Sequence, residues 1–243
     1  MVAPPLPVLF DAHGLLAIAK PAGLAVHPTL DRARPSVLGL LQGWLTAAGD
    51  EGRLGLVHRL DADTSGVLLL CREPPLQTAL TAAWQTHAVR KTYVALTAAP
   101  SSPLPTTWRI DNHLKAKKHG KVERMEVVRA GGDRALTDVR LLAASADAAL
   151  VEARPLTGRR HQIRVHLATS GLPIRGDSLY GDPSTAPRLM LHALTLRLPP
   201  LPGLADGLVL HAPPPRDLCA ATGLWLGDVG RAALDLVAAD APP

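Results

Sequence analysis

Thr137-Asp-Val-Arg-Leu-Leu-Ala-Ala-Ser-Ala-Asp-Ala-Ala-Leu-Val-Glu-Ala-Arg154 holds two strand-like runs, Thr137–Ala143 and Leu150–Arg154, with no room for a helix between them. Two further runs, Thr92–Thr97 and Lys121–Arg129, precede this pair, again without a helical spacer. A parallel sheet needs a crossover of a dozen or more residues between neighbouring strands, so this succession favours antiparallel pairing over a doubly wound fold. Outward from it, Leu15–Lys20, Val67–Arg72 and Met190–Leu198 read as strands. Helices are expected over Pro75–Ala88, with proline in its first turn, over Arg159–Ser170 and over Asp228–Ala239. Ser101–Pro105 reads as a loop. The expected class is α+β, a mixed, mainly antiparallel sheet with flanking helices, in one domain spanning residues 1–243.

The chain has 243 residues, 47% of them apolar and 19% charged, enough to bury a core and too apolar for a disordered chain. No apolar run approaches the roughly 18 residues of a membrane span, and the N-terminus lacks a basic start followed by an apolar stretch. Cys71 and Cys219, far apart, cannot form a disulfide framework and suit a reducing compartment. The expectation is a soluble cytoplasmic protein without a membrane partner, its oligomeric state open and a monomer plausible.

The net charge is +5, and its distribution matters more than its sum. Residues 113–124 carry Lys115, Lys117, Lys118, Lys121 and Arg124 against the single acid Glu123. Residues 154–164 hold Arg154, Arg159, Arg160 and Arg164 with no acid. Such stretches can neutralise phosphates, although a solvated face has the same composition.

Three segments carry most of the chemistry. Gly55-Leu-Val-His-Arg-Leu-Asp-Ala-Asp-Thr-Ser-Gly-Val-Leu-Leu-Leu-Cys-Arg72 puts Asp61 and Asp63 on a turn just ahead of an apolar strand. Taken alone, such aspartates most often bond their own backbone. Arg154-Pro-Leu-Thr-Gly-Arg-Arg-His-Gln-Ile-Arg-Val-His-Leu-Ala168 predicts a helix capped by Thr157, with Arg160, His161 and Arg164 in one sector beside the apolar Ile163 and Leu167. A cationic strip so close to a buried stripe can deliver Arg164 to a partly buried carboxylate. His161 and His166, five apart, make a poor zinc pair and suit hydrogen-bonded structural duty. Ile18-Ala-Lys-Pro-Ala-Gly-Leu-Ala-Val-His-Pro28 reads as a strand entering a tight Pro-Gly turn.

With Lys91–Tyr93, Gly176–Gly181 and Leu191–Ala193, these segments resemble, in order, the pattern of the RluA family of pseudouridine synthases. The resemblance covers roughly residues 10–200, and His58-Arg-Leu-Asp61 and His161-Gln-Ile-Arg164 are its most specific parts. Arg160 stands where that family usually has Thr or Ser. The first motif begins by Lys20, leaving no visible room for the small N-terminal RNA-binding domain of many relatives, so RNA affinity is expected from the catalytic domain itself.

The resemblance implies isomerisation of uridine to pseudouridine in ribosomal or transfer RNA, with no metal and no cofactor. It makes Asp61 the essential carboxylate, as nucleophile at the sugar C1′ or as base toward a sugar proton. Arg164 becomes its cationic partner and Tyr93 the ring that stacks on the extruded uracil. Arg59 fills the vacated place in the RNA stack or holds a neighbouring phosphate. His58, Thr64, Arg159, His161, Lys115, Lys117 and Lys118 complete the expected substrate and RNA contacts. With four Trp, two Tyr and one Phe in the whole chain, an aromatic RNA platform is not expected, so phosphate contacts and shape should dominate.

Two rival readings follow from the same residues. Asp61-Ala-Asp63-Thr64 also fits the start of a haloacid-dehalogenase-type, Mg-dependent phosphohydrolase, and Gly176-Asp177 mimics its late acidic motif. That family needs an apolar strand running straight into the first Asp, where His58 and Arg59 intervene here. A non-catalytic RNA-binding protein would keep the basic stretches and have no use for Asp61 and Arg164.

Overall fold

The computed structural model describes residues 3–28, 31, 33–50, 52–120 and 122–239. In chain order these form β1 (Val8–Ala12), β2 (Leu15–Lys20), α1 (Val37–Ala47), β3 (Gly55–Leu56), β4 (Ser65–Cys71), α2 (Pro74–Gln85), β5 (Arg90–Ala98) and β6 (Thr107–His119). There follow β7 (Val122–Val128), β8 (Asp133–Ala144), β9 (Ala148–Pro155), α3 (Gln162–Thr169), β10 (Leu191–Leu198), β11 (Leu208–His211) and α4 (Arg216–Ala239). By internal contacts the chain divides into two compact units, residues 1–89 with 193–213 and residues 90–192 with 214–242. Both join strands to packed helices, the α+β class expected from the sequence.

In the first unit β4 is buried at all seven positions, as its run of Val67, Leu68, Leu69, Leu70 and Cys71 requires. It pairs antiparallel with β2 from Leu15 opposite Cys71 to Lys20 opposite Gly66. β1 forms a hairpin with β2, and β11 pairs antiparallel with β10. Leu76, Leu80 and Ala83 of α2 close the core over Leu15, Ala17, Val67 and Leu69. Gly66, at φ +120°, has no alternative residue: a Cβ there would lie 2.1 Å from the Ala193 carbonyl oxygen.

In the second unit the strand order is β5-β9-β8-β6-β7, every pair antiparallel. Leu114 of β6, Met125 of β7 and Ala135 of β8 pack with Val165 of α3. Because β6 and β7 alternate faces, the side opposite Leu114 and Met125 carries Lys115, Lys117 and Arg124. α4 is broken at Gly227, where φ 60° and ψ −149° leave the helical region. Just before the break, Trp225 covers the buried Arg175 guanidinium at 3.5 Å.

The predicted strands and helices are present, with bounds shifted by a few residues, and Lys121, taken as the start of β7, lies outside the described residues. Not expected from the sequence are β1, α1, the two-residue β3, β6, β11 and the first half of α4. Thr157 does not cap α3. His161 occupies the cap position at φ 53°, and Arg160 and His161 precede the helix instead of lying on it.

Candidate active site

Leu60 is buried and its neighbours Arg59 and Ala62 are exposed, so the segment before β4 leaves the core as a short turn. The Thr64 amide closes this turn on the Asp61 carbonyl at 3.2 Å, and Thr64 itself is buried. Asp61 is half-buried and Arg59 exposed. His58 continues the work of a strand that ends early. β3 pairs with β4 at Gly55 and Leu56 and ends there, and two residues later His58 Nε2 accepts the Leu69 amide at 2.9 Å. Accepting at Nε2 requires the ring proton on Nδ1. The same ring stacks on Trp84 at 5.0 Å between centroids.

Lys20 explains the Lys-Pro-Ala-Gly motif. Its side chain is 1% exposed, and Nζ donates to the carbonyls of Pro21 (2.8 Å), Leu24 (2.8 Å) and Ala62 (2.7 Å). The Gly23 amide reaches the same Ala62 carbonyl at 2.9 Å. The residue following Asp61 is therefore clamped by a buried ammonium and a backbone amide. In the sequence this motif signals only a tight connection, since nothing local shows that a lysine will fold inward.

Tyr93 and the motif around Arg164 belong to the second unit. Tyr93 stands opposite Ala153 on β5, half-buried. Two residues earlier on the same strand face, Lys91 Nζ donates to the Thr157 carbonyl at 3.1 Å, and burial lowers its pKa to about 8. Thr157, freed from capping, accepts the Leu136 amide at 2.9 Å and donates to Gln162 Oε1 at 2.7 Å. Gln162 also accepts the Arg159 amide at 3.0 Å and donates to Thr137 Oγ1 at 2.9 Å. Thr137 lies 2.9 Å from His166 Nδ1, and His166 Nε2 lies 2.9 Å from Asn112 Oδ1. Burial lowers the His166 pKa to about 4, so the ring is neutral and structural, as expected from the sequence.

Arg164, 3% exposed, forks onto the fully buried Asp177 through Nε–Oδ2 (2.8 Å) and Nη2–Oδ1 (2.7 Å). Burial pushes the Asp177 carboxyl up, but the bonds and charge of Arg164 and the amides of Leu179 and Tyr180 outweigh it and hold the pKa below the ordinary value. The guanidinium also lies 5.2 Å over the Tyr180 ring. The Tyr180 hydroxyl accepts the Met125 amide at 2.8 Å and sits 2.9 Å from His161 Nδ1. Two motifs separate in sequence, Gly158–His166 and Gly176–Gly181, thus form one network. Asp177 and Tyr180 are the residues that sequence reading missed. Their only sequence signal was motif order.

Arg159 is exposed and donates Nε to the Arg134 carbonyl at 3.1 Å. Arg160 pairs with Glu123 of β7. Lys115, Lys117 and Lys118 are exposed near the end of β6. Asp61, His58, Arg59 and Thr64 share one turn of the first unit. Tyr93, Arg159, His161, Arg164 and the three lysines belong to the second. Asp177, the late acid of the phosphohydrolase reading, is enclosed and bound to Arg164, which removes it as a Mg²⁺ ligand. No group of three or more His, Cys, Asp or Glu suited to a metal occurs among the described residues, nor any helix long and apolar enough to cross a membrane.

The chain belongs to the RNA pseudouridylate synthase family, whose model matches residues 14–169. Among individual relatives, it is 33% identical over 198 residues to ribosomal large subunit pseudouridine synthase D of Zymomonas mobilis, covering 79% of this chain and 61% of that protein. It is 35% identical over 231 residues to the protein of the same name in Xylella fastidiosa, covering 88% and 68%. The solved structure of human RNA pseudouridylate synthase domain containing 4 superposes with a TM-score of 0.70 at 28% identity, covering 88% of this chain and 91% of that one. The chain spans a little over three fifths of the length of the first two curated relatives.

Proposed function

We propose that this protein isomerises specific uridines to pseudouridine in ribosomal or transfer RNA in the cytoplasm, and that the whole chain acts as one catalytic domain. The observation that carries this reading is the family match across residues 14–169, which contains Asp61, Tyr93 and Arg164. In the reaction the N1–C1′ bond breaks, the uracil turns, a C5–C1′ bond forms, the C5 proton leaves and N1 takes up a proton, so the product is an isomer of the substrate. Asp61 acts on the sugar, by attack at C1′ or by removing a sugar proton, and either role requires its ionised form. Arg164 supplies the compensating positive charge.

The target nucleotide must leave its stack, at a cost of a few kcal/mol. Tyr93 offsets part of it by stacking, worth about 1–3 kcal/mol per base, and helps remove the C5 proton. Arg59 occupies the vacated place or holds a phosphate. Arg159, His161, Lys115, Lys117 and Lys118 contribute RNA contacts, with His58 and Thr64 fixing the turn that carries Asp61. The reading needs neither metal nor cofactor.

The test is tritium release from RNA labelled at uridine C5. The wild-type protein should release label from ribosomal or transfer RNA. Asp61→Asn should bind the same RNA and release none. Label retained by the wild type with every RNA class overturns the reading, and equal processing of RNA by wild type and variant favours a non-catalytic binding role.

A further inference from the structure

The outer part of the β6–β7 hairpin carries a crowded set of basic side chains on one face. Lys117 stands directly opposite Arg124, an arrangement of like charges that disfavours strand pairing, and His119 and Lys115 flank them. A single acid, Glu126, lies among them. Its carboxylate is 3.1 Å from Lys117 Nζ, 2.5 Å from His119 Nε2 and 3.2 Å from Arg124 Nε. The bond from Lys117, followed by those from His119 and Arg124, holds the Glu126 pKa down at about 2 against the opposing effect of desolvation. On the other face Glu123 engages Arg160 in the same way. By contrast, Lys115 and Lys118 have no ion-pair partner among the described residues.

We propose that Glu126 is a specificity-determining residue that occupies the Lys117–Arg124 pair in place of a phosphate, so that only an RNA whose shape brings a phosphodiester onto that pair displaces it. The inference rests on the RNA-modifying reading above and adds to it a rule for rejecting other RNA. A flexible RNA passing over the hairpin meets a pair of cations already half-neutralised and releases fewer counterions on binding. A correctly shaped substrate, held by its remaining contacts, replaces one carboxylate by one phosphate and loses little. Relief of the Lys117–Arg124 repulsion is a structural benefit of the same carboxylate, and it predicts no change in RNA discrimination.

The experiment compares wild type, Glu126→Gln and Glu126→Asp for binding to single-stranded oligo(A), which contains no uridine and cannot be a substrate. Glu126→Gln should bind about two- to fivefold tighter at 0.1 M salt. Its log K against log salt should be steeper by about 0.7 for each cation released. Glu126→Asp, which keeps the charge, should behave as wild type. With uridine-labelled ribosomal RNA, kcat of Glu126→Gln should be unchanged, and added oligo(A) should inhibit it more strongly. Equal oligo(A) affinity and slope for Glu126→Gln and wild type overturn the proposal. Absence of tritium release by wild type, a separate measurement, would instead overturn the reading on which it rests.

Discussion

His166 shows how one side chain can make the stability of a strand–helix junction depend on pH. It is fully buried, with Thr137 at one ring nitrogen and Asn112 at the other. Its folded pKa lies near 4 against an ordinary 6.5, so the unfolded chain takes up a proton that the folded chain refuses. Stability from this residue is complete above about pH 6.5 and is lost as pH falls toward 4, by about 2 kcal/mol between pH 7 and pH 5. Urea unfolding at the two pH values should show that loss, and His166→Gln should remove most of it while lowering stability at pH 7. Asp177 works in a lower window. Its folded pKa is depressed below 3.8, so its contribution is complete above that value and disappears only in stronger acid. The two residues therefore separate along the pH axis.

At the scale of elements, the turn carrying Asp61 has little regular structure of its own and is held by the Lys20 ammonium, the Gly23 amide and the His58 ring. Lys20→Met removes the charged donor from the carbonyls of Pro21, Leu24 and Ala62 and adds no steric bulk. Each carbonyl left without a donor costs about 1–3 kcal/mol, so the unfolding midpoint should fall. Below that midpoint, tritium release should drop by about tenfold or more with KM little changed, because a displaced carboxylate affects the reacting geometry more than RNA binding. An unchanged kcat in the folded variant would show that the clamp serves stability alone. The clamp also marks the limit of what the sequence discloses. β4 is legible because the five apolar residues Val67–Cys71 follow one another without a break, and α2 because proline opens a clear apolar period. α1 is hidden by Gly39 and Gly43, which weaken its helical signal although Val37, Leu41 and Leu45 face the core. β6 is hidden for another reason. Leu114 is its one fully buried residue in thirteen, so a basic strand reads as a solvated charge run. Asp61, Tyr93 and Arg164 are legible through motif order, whereas the Arg164–Asp177 fork joins positions thirteen residues apart that no local period connects.

For the whole molecule, a net charge of +5 is too small to grip RNA everywhere, so affinity must depend on where cations stand unpaired. Many arginines on the sheet of the second unit are already matched: Arg109 by Asp138, Arg134 by Asp111, and Arg140 and Arg154 by Glu152. Lys115 and Lys118 differ, being exposed, near the end of β6, and on its opposite faces. A phosphate held by each would contribute about 0.7–0.9 to the salt dependence of RNA binding. Lys115→Gln with Lys118→Gln should therefore flatten the slope of log K against log salt by about 1.4–1.8 and raise KM at physiological salt. It should leave kcat unchanged, since neither lysine touches the uridine. Lys117→Gln should flatten the slope for oligo(A) much less, because Glu126 already neutralises that ammonium. If all three lysines instead contribute equally, recognition follows total charge and not its arrangement, and the hairpin is an ordinary basic arm.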